Sequence, residues 1–221
     1  MKYLKHFETS AQYDAFKDSE EFILPNVTYV VENSNVYYQP YVEPVSPNYV
    51  LTFDVQNISQ ETKILHDYAL SAFSSMIVDG VEMPVDCYYQ FDTIGLHTVE
   101  FIFAEGSDWQ GYDYNTALGE GWFRMGESVE FIKIEIPSSV TRMYNYSLFA
   151  PNLKEIVLHC TDILYRNDTP DAWADVLGAS PTNYNPLPNI GVLKFPKNAL
   201  YGNALTEYMN KNYPNWKIER F

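Results

Sequence analysis

At 221 residues, with 46% hydrophobic residues, the chain is long enough to bury a substantial core and too apolar to be disordered. Its formal net charge of −15 argues against nucleic acid, whose phosphates demand a basic surface, and against electrostatic attachment to an anionic membrane. No run approaches the ~18 consecutive apolar residues of a membrane-spanning helix, and the opening MKYLKHFETS lacks the apolar core of a signal peptide.

The charge is unevenly spread. Between Ile64 and Phe123 there are ten acids and no Lys or Arg, whereas Gly191 to Phe221 carries five basic residues against two acids. Such asymmetry serves solubility in the first instance, and in the second it suits a cation or a basic partner at the acidic half. Cys87 and Cys160 make neither a disulfide framework nor a zinc site, and spacing alone does not decide whether they pair. Both stand in apolar strand contexts, where a free thiol behaves as a small hydrophobe.

In chain order, Thr9 and Gln12 fit a helix-capping box, with Tyr13 and Phe16 on one helical face. Pro25 stops that helix. Asn26 to Val31 and Val36 to Tyr38 then flank turn residues and predict a hairpin. Three prolines between Pro40 and Pro47 exclude a central strand and mark a linker. From Tyr49 to Ala104 the pattern is all-β. Leu51, Phe53 and Val55 share a face; Phe73 to Val78 ends at the turn dipeptide Asp79-Gly80; Cys87 to Phe91 and Leu96 to Phe103 follow. This spacing predicts a small sandwich-like module, with helix only near Thr62 to Leu70. Glu105 to Gly126 reads as a long glycine-rich loop, of the kind that often carries function.

The apolar pattern of Phe131, Ile134 and Ile136 returns 22 residues later as Leu153, Ile156 and Leu158. It returns again as Ile190, Leu193 and Phe195, and as Tyr213, Trp216 and Ile218, and Leu96, Val99 and Phe101 fit it upstream. Pro137 and Pro196 each follow the third apolar position and would end a strand there, because proline cannot donate to the ladder. A recurring period of this kind predicts stacked rungs that bury one apolar strip, with Lys133, Glu135, Lys154, Glu155 and Val157 outside. Asp171 to Leu177 reads as a short helix ended by Gly178. A second is predicted from an Asn203 cap, with Leu205 and Tyr208 facing the core.

Ile134-Glu135-Ile136-Pro137-Ser138-Ser139-Val140-Thr141, continuing to Asn152-Leu153-Lys154-Glu155-Ile156-Val157-Leu158, resembles the BspA-like, or Treponema-type, leucine-rich repeat. Tyr144 stands where that family usually has Gly, and the unit is shortened before Pro151, so the resemblance implies a short, interrupted array. The opening, with His6-Phe7-Glu8-Thr9 and Pro25-Asn26-Val27-Thr28-Tyr29, is similar to the starts of secreted or phage-borne proteins of anaerobic gut bacteria. The combined expectation is a β-rich α+β protein. Residues 1–104 would form a helix, a hairpin and a β-sandwich-like module, and residues 105–221 a loop and a leucine-rich-repeat-like solenoid with a C-terminal helix.

No catalytic constellation emerges. His159 and Cys160 are adjacent on a strand and point to opposite faces, and His6, His66, His97 and His159 lack metal-ligand spacing. There is no phosphate-binding glycine loop and no nucleophile elbow. The expected protein is therefore not an enzyme and has no metal or cofactor. Its candidate ligand-binding residues are Asp108, Trp109, Tyr112, Asp113, Tyr114 and Trp122, with Trp109 and Trp122 alternatively folding back as core. The resemblance implies a surface-displayed binding or adhesion module with a protein or glycan partner. Its alternative is a structural component of a virion or bacterial appendage.

Overall fold

The computed structural model describes residues 27–32, 35–40, 48–104, 108–109, 112–113, 117–119, 122–124, 130–144, 148–164, 169–177 and 187–221. The chain forms two compact units, Met1–Pro44 and Val45–Phe221. In the first, strands β1 (Val27–Glu32) and β2 (Asn35–Pro40) pair antiparallel from Val27↔Pro40 to Glu32↔Asn35, which is the expected hairpin. The helix expected at residues 9–16 and most of the proline-rich linker lie outside the described residues.

The second unit opens with β3 (Tyr49–Val55), β4 (Thr62–Lys63), a 3₁₀ turn at Asp67–Ala72, β5 (Phe73–Val78), β6 (Val81–Met83), β7 (Tyr88–Tyr89) and β8 (Gly95–Phe103). Four two-residue strands follow, β9 (Asp108–Trp109), β10 (Tyr112–Asp113), β11 (Ala117–Leu118) and β12 (Phe123–Arg124). Then come β13 (Phe131–Ile136), β14 (Arg142–Met143), β15 (Leu148–Phe149), β16 (Glu155–Leu158), α1 (Ala172–Val176), β17 (Val192–Phe195), α2 (Gly202–Asn212) and β18 (Lys217–Arg220). The unit is β-rich, with few helices and one large mixed sheet of eight strands in the order β18-β17-β16-β13-β3-β8-β5-β6.

β3 is the joint of that sheet. It pairs antiparallel with β8 on one side and with β13 on the other, and its burial alternates, with Tyr49, Leu51, Phe53 and Val55 fully buried. This corrects two expectations. Of the strands expected to make a sandwich, β3, β5 and β8 lie in one sheet while β7 pairs with β4 in a separate two-stranded sheet, and the large sheet runs across the division expected at residue 104. The reason is the same for both: β3 uses both edges, so the antiparallel strands before residue 104 and the parallel strands after residue 130 share one ladder.

On the far side of β13, strands β16, β17 and β18 add in parallel, in chain order. The register places Ile134 opposite Ile156, Ile156 opposite Leu193, and Leu193 opposite Ile218. β13 ends at Ile136 before Pro137 and β17 at Phe195 before Pro196, as the prolines dictate. The backbone then turns alike after both, through Val140 N–H to Pro137 C=O and Ala199 N–H to Pro196 C=O. Three details depart from the sequence pattern. Leu96 is 70% exposed, and its strand, β8, is separated from β13 by β3, so it is no member of the parallel set. Ile190 is likewise 70% exposed. In the last strand Ile218, not Trp216, stands opposite Leu193, a slip of two that keeps the same side chains on the same face.

The helices also differ in detail. α1 begins at Ala172 behind Asp171, without a side-chain cap bond, and Gly178 lies outside the described residues. α2 begins at Gly202 behind Tyr201, so Asn203 is inside the helix rather than its cap; Leu205, Tyr208 and Met209 are buried. The segment expected to be helical near residues 62–70 is β4 followed by the 3₁₀ turn.

One apolar row crosses all eight strands. Following the pairings gives Ile218, Leu193, Ile156, Ile134, Leu51, Val99, Val78 and Val81. The six central residues are 4% exposed or less, whereas Ile218 is half-buried and Val81 is 62% exposed. On the opposite face of the parallel strands, charges alternate in sign. Lys217 meets Glu219 (2.6 Å), Lys194 meets Glu155 (2.8 Å) and Lys133 meets Glu135 (2.9 Å), with Glu135 accepting from His159 Nε2 (3.0 Å). The His159 bond, then Lys133, hold the Glu135 carboxyl at about 2. Val157, expected outside with these charges, is buried between its cross-strand neighbours Glu135 and Lys194.

Truncation along the row should therefore be graded. Leu51→Ala is expected to cost about 2–5 kcal/mol in urea unfolding, and Ile218→Ala clearly less, because its side chain is only partly withdrawn from water. Equal losses at the two positions would contradict the described burial.

Candidate functional site

Of the six residues the sequence singles out, four come together at the backbone level. β9 and β10 pair antiparallel, with Trp109 opposite Tyr112 and Asp108 opposite Asp113. Tyr114 lies outside the described residues. Trp122 goes elsewhere. It is 1% exposed and meets Tyr49 and Phe73 edge-on, at centroid distances of 6.2 and 5.4 Å. Its indole occupies the space above Gly119, where any Cβ would stand 2.0 Å from the ring nitrogen. Trp122 thus has no face to offer a ligand; it fills the core that Gly119 leaves open for it.

A second feature was not anticipated from the sequence. At the β6 edge of the sheet lies a cleft of about 330 Å³. Val78 and Phe91 form its buried floor, Val81, Met83 and Tyr89 its walls, and Asp79, Asp92, Thr93 and His97 its polar lining. The β5–β6 hairpin that bounds it turns through Asp79 and Gly80, both at positive φ (48° and 85°), the geometry that matches the strand twist and favours an Asp-Gly pair. Nothing lies near the Gly80 Cβ position, so backbone conformation rather than space calls for glycine there.

His97 sits on the core face of β8, opposite Phe53 and stacked on Phe91 at 4.6 Å. A buried imidazole needs partners, and this one has them on both nitrogens. Nδ1–H donates to Asp79 Oδ2 (2.5 Å) and Nε2–H donates to the Thr93 carbonyl (2.9 Å). With a carboxylate at one nitrogen and a carbonyl at the other, the surroundings favour the doubly protonated ring, and the Thr93 hydroxyl lies 3.3 Å from Nε2 as well. Burial alone would push its pKa down, but the Asp79 bond, the Thr93 carbonyl and the charges of Asp79 and Glu130 outweigh it, and His97 lies above its ordinary 6.5. Asp79 shows the mirror image. Burial would raise it, yet His97 and the Thr98 backbone N–H (2.8 Å) bring it below its ordinary 3.8. The pair pins the Asp79-Gly80 turn to β8. A ring with both protons committed to neighbours is a lock rather than a base.

Other polar groups are also engaged internally. The buried Glu130 carboxylate accepts from the Gln56 and Asn57 backbone N–H groups (2.9 and 3.3 Å) and from Thr62 Oγ1 (2.5 Å), tying down the connection after β3. His159 reaches Glu135 on the outer face while Cys160 is buried, so the two neighbours do point apart. Both cysteines are free thiols. Burial pushes Cys160 up to about 12, and burial together with Asp67 pushes Cys87 up to about 11, so neither is a thiolate at neutral pH. Among the described residues, no group of three or more His, Cys, Asp or Glu could hold a metal ion, and no helix is long and apolar enough to cross a membrane.

The sequence carries a signal for the His97 lock only once the register is known. Pairing Val78 with Val99 puts Asp79 beside Thr98 and His97. No family model matches the chain, and neither curated proteins nor solved structures provide a match.

The two shifts fix a pH window. His97 is raised, so its stabilisation is complete below pH 6.5 and is lost as pH climbs through its folded value. Asp79 is lowered, so its stabilisation is complete above pH 3.8 and is lost as pH falls through its folded value. The difference in urea midpoint between the native chain and His97→Gln should be flat and widest from pH 3.8 to 6.5 and narrow on both sides. A difference that stays constant into the alkaline range would contradict an imidazolium lock.

Proposed function

We propose that this chain is a non-catalytic binding or adhesion module, displayed on a cell surface, that recognises a protein or glycan partner through loops carried on a repeat-like scaffold. The observation that carries the reading is that its paired ionisable groups bond to one another, even though His159 Nδ1 and Ser139 Oγ are buried with no hydrogen-bond partner among the described residues. His97, Glu130 and the Glu135–His159 pair are each engaged by neighbouring groups, and both thiols are held neutral. Function must be argued from a site, and these groups act as fasteners. The parallel run β13, β16, β17, β18, added in chain order with matched aliphatic residues, supports kinship with the BspA-like leucine-rich repeat. On that scaffold the connections are the places for specificity, foremost the stretch holding Asp108, Trp109, Tyr112, Asp113 and Tyr114.

One observation favours a second reading, a structural component of a virion or appendage. Among the described residues β18 pairs on one side only, and the apolar row reaches it with Ile218 half-buried, so a copy could extend the sheet. Solution mass separates the two: a strict monomer at high concentration contradicts assembly.

For the glycan form of the leading reading, an immobilised glycan panel is the direct test. Replacing Trp109 and Tyr112 by Ala should weaken a detected signal at least about tenfold while leaving the unfolding midpoint in place. An unchanged signal would remove this loop from the site. Trp122→Ala should behave differently, costing about 3–5 kcal/mol of stability through the core.

A further inference from the structure

The cleft at the β6 edge has chemistry beyond a generic loop surface. We infer that it binds the side chain of an arginine or lysine presented by an extended segment of a partner polypeptide, an inference that rests on the binding reading above and names its ligand.

The argument starts from the apolar row. Every strand from β17 to β5 buries its member of that row, but the last member, Val81, is 62% exposed. The core therefore runs on past the point where the chain covers it. Met83, which pairs with the buried Met76, is only half-buried as well, and so is Tyr89 across the opening. An apolar stem lying against Val81, Met83 and Tyr89 would finish the row and withdraw that surface from water.

The rim decides what the stem must end in. Asp79 and Asp92 are exposed at the mouth, and the charge of Asp79 is offset by the His97 imidazolium, which leaves Asp92 as the unbalanced charge. From Ile64 to Phe123 the chain has no Lys or Arg. A flexible apolar stem with a cationic tip is the description of lysine and arginine, whose methylenes cover apolar surface while the head stays at the wet rim. Tyr89 adds a ring face for the cation. Strand β7 shows this contact at the neighbouring residue, where the Lys63 ammonium stands 5.8 Å from the centroid of Tyr88.

The edge strand decides that the side chain arrives on a polypeptide. β6 pairs with β5 alone among the described residues, so its outer backbone groups are open to an added strand. In that mode main-chain bonds supply affinity and a side-chain pocket supplies selection. A volume of about 330 Å³ has room for one long side chain.

The test uses the full chain and three probes: an acetylated, amidated Thr-Val-Arg-Val-Thr peptide, the same peptide with neutral citrulline for arginine, and N-acetylarginine amide alone. Amide shifts in an NMR titration report the location. The arginine peptide should perturb the amides of residues 78–97 and bind about tenfold more tightly than either other probe. Asp92→Asn should weaken it roughly three- to tenfold, and Val81→Lys, which puts a cation in the mouth, should abolish it. Asp171→Asn, an equal loss of charge outside the cleft, should change nothing. Both cleft variants are at exposed positions, and an unchanged urea midpoint verifies that they fold.

Equal binding of the arginine and citrulline peptides would overturn the inference. So would equal weakening by Asp92→Asn and Asp171→Asn, which would mean that the net charge alone attracts the peptide. If neither peptide binds while a partner still requires Trp109 and Tyr112, the cleft inference falls and the binding reading stands.

Discussion

The structure depends on one row of aliphatic side chains running from Ile218 through Ile134 and Leu51 to Val81, one from each strand of the sheet. Register in a sheet is set wherever one face is buried, because a slip of one residue would turn every apolar side chain to water. Here that constraint is shared by two kinds of pairing. The strands on one side of β3 are antiparallel and those beyond β13 are parallel, and only the row is common to both. β3 can serve both because its buried face, Tyr49, Leu51, Phe53 and Val55, has no gap.

The polar chemistry follows from the same sheet. Asp79 reaches His97 because the β5–β8 pairing brings the end of one strand beside the start of the other. Glu130 lies just before β13 and reaches back to the connection leaving β3 because those two strands are neighbours. The alternating charges outside Ile134, Ile156 and Leu193 are in line because the apolar residues inside are in line. Each cluster fastens a turn or a strand end that the row has already aligned. The row ends exposed at Val81, and there the molecule has an open cleft instead of a closed bond.

Local patterns in the sequence were legible where physics is local. Alternation gave β3, the apolar period with Pro137 and Pro196 gave β13 and β17, and Asp79-Gly80 marked the hairpin. The long-range choices were hidden. A strand's own residues do not say that it will use both edges, so the joint at β3, and with it the single sheet, could not be read from Tyr49 to Val55. Trp216 and Ile218 are both apolar and two apart, so period-two patterning cannot choose between them, and the fourth register slipped. Ile190 satisfied the pattern by type alone. Trp122 carried a usable hint in Gly119, which gives a buried indole room, yet exposed contact and buried core call for the same residue type. The His97 lock needed a register before it had any signal at all.

If the row is what unites the unit Val45–Phe221, its two arms cannot unfold apart. Hydrogen exchange of individual amides in rising urea tests this directly. The account predicts that the central amides of β3, β8, β13 and β16 open together, with one free energy equal to that of global unfolding. Separate opening of the antiparallel strands before residue 104 and the parallel strands after residue 130, each with its own free energy, would contradict it.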